Sequence, residues 1–166
     1  GFRVAIAEQM EDPAEAKKRG SKSVVARDVV RLVTPGTLTE ESLLEARRHN
    51  FLAAFATVRD DCALAWVDIS TGALRVAPCP QVRLGPELAR HAPREVLALD
   101  GSRLDDIAAE AGAALTELSA ASFDSTAAVH RLCVLYGVET LDGFGQFTRA
   151  ELAALGAIVD YLDLTQ

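Results

Sequence analysis

Five acids fall where a folded sheet could gather them: Asp68, Asp100, Asp105, Asp106 and Glu110. Carboxylates clustered at strand ends can hold two divalent cations, activate a water and stabilise a leaving oxygen, which is the chemistry of a metal-dependent nuclease. Asp68 and Asp100 are the two that follow strand signals. Asp105 and Asp106 come directly after the Asp100 loop and read as the start of a surface helix. Asp68-Ile69-Ser70-Thr71-Gly72 and Asp100-Gly101 also read as turns, so a stand-alone nuclease is the alternative reading and not the main one. Nucleophilic catalysis has less to work with. No G-x-S-x-G occurs, and Cys133 with His130 on one helix lacks an oxyanion donor. The phosphate loop G-x-x-x-x-G-K-[ST] is absent, and Gly143-Phe144-Gly145 reads as a loop that turns Phe144 inward. The cluster Lys17, Lys18, Arg19 and Lys22 could contact phosphates or simply complement the carbonyl end of a helix.

The elements that would position these groups follow from periodicity and punctuation. Residues 2–8 read as a strand, Asp12-Pro13-Ala14-Glu15 as the start of a helix that stops at Gly20, and residues 23–33 as a Val-rich strand ended by Pro35-Gly36. A short helix with Thr39 as its cap follows. From residue 51 three strands succeed one another at 51–58, 62–69 and 73–77, punctuated by Arg59-Asp60-Asp61 and Ser70-Thr71-Gly72. This places Trp66, Val67 and Ile69 on a central strand. A helix at 81–92 should bury Val82, Leu84 and Leu88 on one side. A strand at 94–99, a helix at 102–112 and a strand at 114–119 come next. Two helices close the chain, 125–136 capped by Asp124 or Ser125 and stopped by Gly137, and 149–162 capped by Thr148 with Glu151 three residues on. Residues 51–166 thus read βββαβαβα. That order predicts an α/β domain of ribonuclease H-like architecture, a mixed sheet flanked by helices. A partial α/β segment precedes it.

Charge divides the chain in the same place. Residues 1–50 hold nine Lys/Arg against eight Asp/Glu, and residues 51–166 eight Arg against sixteen acids. The second part is therefore poorly suited to phosphates and better suited to protein contacts. Three cysteines at irregular spacing argue against a disulfide framework, and no CxxC or HxxxH pair suggests zinc. That cysteine pattern makes a reducing cytoplasm the expected setting; no apolar run is long enough to span a membrane and no signal peptide is visible. The opening Gly1-Phe2-Arg3-Val4 reads as an excised piece of a longer chain.

Residues 3–40 carry more specific signals. Ala5 to Pro13 has the form A-x-x-E-Q-x-x-D-P, and Val29 to Thr37 the form V-V-R-x-V-T-P-G-T. This stretch resembles the end of the mismatch-recognition domain of the bacterial MutS family of DNA mismatch-repair ATPases. Asp68-Ile69-Ser70-Thr71-Gly72 and Leu141-Asp142-Gly143-Phe144-Gly145 are similar to turns of that family's connector domain. The resemblance implies residues 1–36 as the end of the mismatch-recognition domain, 37–50 as a linker with a short helix, and 51–166 as the connector. It implies a parent that binds mismatched duplex DNA as a homodimer, uses ATP and Mg²⁺, and recruits a MutL-type partner. Neither the family's F-x-E motif nor its phosphate loop occurs here, so this piece should be non-catalytic and free of cofactors. The partner surface is expected on the helix carrying His130 and Arg131, with Val129, Leu132 and Cys133 turned inward.

Overall fold

The computed structural model describes residues 4–9, 18, 27–34 and 50–165. The expected helices at 12–20 and 39–48 lie outside these residues, except that Lys18 is helical and exposed. Strands β1 (Val4–Gln9) and β2 (Arg27–Val33) pair antiparallel, with a register shift between Ile6 and Ala7.

The rest builds a second sheet. Its members are β3 (Phe51–Val58), β4 (Asp61–Asp68), β5 (Ala73–Pro78), β6 (Glu95–Leu99) and β7 (Ala114–Leu118), in the order β5-β4-β3-β6-β7. The first three form antiparallel hairpins, and β6 and β7 run parallel to β3. This is the ribonuclease H-like arrangement. The helices are α1 (Gln81–His91), α2 (Asp105–Glu110), α3 (Ser125–Tyr136) and α4 (Arg149–Thr165). The centre of the sheet is β3; Trp66 and Val67 lie on β4 beside it, and Ile69 falls one residue past that strand.

Alternation along the strands decides which helices go where, because successive side chains point to opposite faces. Leu52, Ala54, Ala56, Ala63, Ala65 and Val67 join a core with α3 and α4. Ala53, Phe55, Leu64 and Val96 join a second core with Leu84 and Leu88 of α1 and Leu104 before α2. The sheet is thus buried on both faces. Small side chains on the first face let α4 lie close, and α4 is buried almost all round, from Ala150 to Tyr161.

Local chemistry fixes the joints. The Asp68 carbonyl accepts the N–H groups of Thr71 and Gly72, at 3.2 and 2.8 Å, while its carboxylate accepts both the N–H and the hydroxyl of Ser70. Gly72 takes a positive φ of 72°, which the tight turn requires. Asp124 caps α3 by accepting from Thr126 and Ala127, and Gly137 ends it in the left-handed region. Thr148 and Glu151 exchange backbone-to-side-chain bonds at the start of α4, a complete capping box. On α1, Leu84 and Leu88 are buried but Val82 is 87% exposed. At about 100° per residue, two positions on a helix lie on nearly opposite sides, so Val82 cannot share the face of Leu84.

Candidate functional site

His130 is exposed on α3, as expected. Arg131 is not a free outward charge. Its guanidinium lies 2.9 Å from the Asp160 carboxylate on α4 and donates to the carbonyls of Ser122 and Ala121, at 3.3 and 3.4 Å. Arg131 therefore fastens α3 to α4 and to the loop before it. The buried side of α3 is formed by Ala128 and Leu132; Val129 is 37% exposed and Cys133 half-buried. Leu132 is buried as expected, but Ala128, one turn before it, takes the inward place expected of Val129 because it meets Gly156 of α4.

The far end of α3 is apolar and open. Val134 is 67% and Leu135 54% exposed. Phe144 does not turn inward; it is 53% exposed and stacks on Tyr136 with ring centroids 5.0 Å apart. Beside this pair a groove of about 280 Å³ runs between Leu74 and Val76 of β5, Leu132 and Tyr136 of α3, and Phe147. Sequence reasoning singled out the polar pair at 130–131 and missed this strip. The run Val134-Leu135-Tyr136 occupies consecutive positions, and no more than half of such a run can be buried by one helix face.

A second polar centre lies at the start of β6. Glu95 is fully buried, and its carboxyl accepts hydroxyl hydrogens from Thr34 at 2.7 Å, Tyr161 at 2.8 Å and Thr116. Thr34 follows β2 directly, Thr116 is on β7 and Tyr161 on α4. The carboxyl thus joins the first unit to the second sheet and its covering helix. Burial, with further contributions from the Glu95 carboxyl, pushes the Tyr161 hydroxyl up to about 12. The sequence signal was an acid inside the apolar strand REVLAL.

The acids considered for metal chemistry do not meet. Asp68 pairs with Phe51 at the start of β3, whereas Asp100 follows the end of β6, which runs parallel to β3 from the pair Leu52–Glu95. Six residues of strand separate the two levels, roughly 20 Å at ~3.3 Å per residue. Among the described residues, no group of three or more His, Cys, Asp or Glu could hold a metal ion. Of the basic cluster, Lys18 is described, and Lys17, Arg19 and Lys22 lie outside the described residues. No helix among the described residues is long and apolar enough to cross a membrane.

Fold and site together define a ribonuclease H-like α/β/α domain with dispersed acids, joined through a buried carboxyl to a preceding two-stranded unit. Comparison with known families gives this a name. Residues 50–166 match the family model described as MutS domain II, and residues 1–42 match MutS domain I. The chain belongs to the MutS family. It is 83% identical over 166 residues to the DNA mismatch repair protein MutS of Paracoccus denitrificans, 74% to that of Cereibacter sphaeroides and 72% to that of Dinoroseobacter shibae. Each match covers the whole chain and 19% of the relative, so the chain spans about a fifth of the length of these curated relatives.

Proposed function

We propose that this chain works in DNA mismatch repair as the piece of a MutS-type protein that joins mismatch recognition to the rest of the molecule. The observation that carries the reading is the family match over residues 50–166, together with high identity to proteins named for mismatch repair. In this reading residues 1–36 end the mismatch-recognition domain, 37–50 link, and 51–166 are the connector. The parent acts in the cytoplasm as a homodimer on mismatched duplex DNA, and its ATP and Mg²⁺ bind outside these 166 residues, which contain no phosphate loop. The piece itself is non-catalytic. The test is replacement of the matching segment in the Paracoccus denitrificans relative by this chain. The chimaera should bind mismatched duplex and keep the spontaneous mutation frequency low. A mutator phenotype from a folded, well-expressed chimaera would sink the proposal.

The connector also docks a MutL-type protein through α3. Two features support this: His130 at an exposed position, and the open strip of Val134, Leu135, Tyr136 and Phe144 below it. Aromatic and aliphatic anchors set the lifetime of a complex, and rim charges tune encounter. Arg131 contributes by holding α3 in place. Val134→Glu with Leu135→Glu should abolish capture of the MutL-type protein with an unchanged melting curve, and His130→Ala should weaken it. Full capture by both variants moves the docking site off α3. Lys17, Lys18, Arg19 and Lys22 are proposed as phosphate contacts. Each one removed should lower the salt dependence of duplex binding by about one unit of slope.

A further inference from the structure

Cys62 and Cys79 are neighbours across the β4–β5 hairpin. The register pairs Leu64 with Ala77 and Ala63 with Pro78, so one further step sets Cys62 opposite Cys79. The Cys79 N–H donates to the Cys62 carbonyl at 2.9 Å, which fixes that step. Directly opposed residues of an antiparallel pair project to the same face. Both cysteines accordingly join the core beneath α1, with Leu64, Trp66 and Leu84. Opposed residues in a hydrogen-bonded pair lie about 5.5 Å apart between Cα atoms, inside the ~4.4–6.8 Å span of a disulfide. The third cysteine, Cys133, is on α3 over the opposite face of the sheet, its thiol directed to the Glu139 carbonyl.

The two thiols differ in access. Cys62 is half-buried, with the Thr57 hydroxyl 3.4 Å from its sulfur. Cys79 is 3% exposed and lines a pocket of about 190 Å³ with Arg83, Glu87, Arg90 and His91. The Glu87 carboxylate bridges the three basic side chains, at 3.4 Å to Arg83, 3.5 Å to Arg90 and 3.7 Å to His91.

We propose that Cys62 and Cys79 form a reversible cross-strand disulfide by exchange with a small-molecule disulfide of the glutathione type. The Cys62 thiolate attacks one sulfur of the small disulfide; a bond forms between them, and the other half leaves as a thiolate that takes up a proton. Cys79 then loses its proton and attacks the Cys62 sulfur, expelling the second half as a thiol. The protein loses two protons and two electrons, and the small disulfide gains both as it becomes two thiols. The order follows from access. Burial first, then the Glu87 carboxylate, pushes the Cys79 thiol up, so it resolves the mixed disulfide and does not open the exchange. The bond ties the end of edge strand β5, and with it the start of α1 at Gln81, to β4.

The test is a titration of the full chain with oxidised glutathione at fixed total glutathione. Intact mass and peptide mapping follow, after alkylation of the remaining thiols. The expected product is a species two hydrogens lighter, with Cys133 alkylated and the Cys62 and Cys79 peptides linked. Excess reduced glutathione should restore all three thiols. Cys133→Ser should leave this unchanged, and Cys79→Ser should stop the reaction at a mixed disulfide on Cys62. A wild-type chain that accumulates mixed disulfide without the linked peptides, that links Cys133, or that keeps three alkylatable thiols would overturn the proposal. The readout on wild-type protein is independent of whether any variant folds.

Discussion

A methyl group on Gly156 would stand 2.4 Å from the Cβ of Ala128 and 3.0 Å from its Cα. Helices α3 and α4 therefore touch backbone to side chain at this point, and glycine at 156 is what lets Arg131 reach Asp160 one turn further on.

Gly156→Ala should destabilise the domain by about 1–3 kcal/mol, because an added carbon in a packed interface forces a shift. The gain in helix propensity, about 1 kcal/mol, offsets part of that loss. Urea unfolding measures the difference. Ala128→Gly in the same chain removes the nearest contact but itself costs about 1 kcal/mol of helix propensity, so it should recover only part of the loss. A Gly156→Ala variant as stable as the parent would show that the two helices can part freely.

Arg131→Glu should lower stability, because it sets two acids side by side and removes the hydrogen bonds to Ser122 and Ala121. The expected loss is about 1–2 kcal/mol, an ion pair of up to ~1 plus lost hydrogen bonds. Combining it with Asp160→Arg should return part of the loss in a double-mutant cycle. Additive effects would mean that the pair contributes nothing of its own.

Glu95→Ala should be among the most damaging single changes, about 2–5 kcal/mol, since it removes an acceptor shared by three buried hydroxyls and leaves a void. Tyr161→Phe should lose about 1–3 kcal/mol. The Tyr161 hydroxyl has a folded value near 12 against an ordinary 10. A raised value means that its stabilisation is complete below pH 10 and fades as pH climbs through 12. Ultraviolet difference titration should show one tyrosine ionising late, a signal absent in Tyr161→Phe.

Asp124 behaves in the opposite sense. Backbone N–H groups of Ala127 and Thr126 hold its carboxyl below the ordinary 3.8. Its stabilisation of α3 is present above that value and is lost as pH falls through the lower, folded one. Amide exchange at the start of α3, followed below pH 4, should show this loss. Asp124→Asn should keep the cap and remove the pH dependence. An unchanged profile in that variant would put the titration elsewhere.

The order of elements along the chain and several helix ends were legible because each has a local cause: alternation in β3 and β4, the Thr148–Glu151 spacing, Gly137 after α3. Glu95 and Arg131 were not, because their roles depend on residues distant in sequence. Glu95 and Tyr161 are far apart in the chain and meet only when α4 has packed over β3 and β4, next to the start of β6. Arg131 looks like a surface charge until Asp160 is opposite. Cys62 and Cys79 are the exception that could have been read: they are equidistant from the turn at Ser70-Thr71, so the hairpin register alone opposes them. Val82 was misread for a simpler reason, a strand-like spacing applied to a helix.

Tyr161 bonds Glu95, and Asp160, the residue before it, bonds Arg131. The socket that receives Thr34 and the bolt that holds α3 are therefore seated on consecutive residues of one stiff helix. A hydrogen bond weakens steeply once its geometry is lost, so the Thr34 contact behaves as a detent, engaged or released, and not as a spring. Without the Thr34 contact the Glu95 carboxyl would keep two of its three hydroxyl donors, Thr116 and Tyr161, the latter beside the very residue that anchors Arg131. Along α4 the joint to the first unit and the anchor of the α3 surface stand one peptide bond apart.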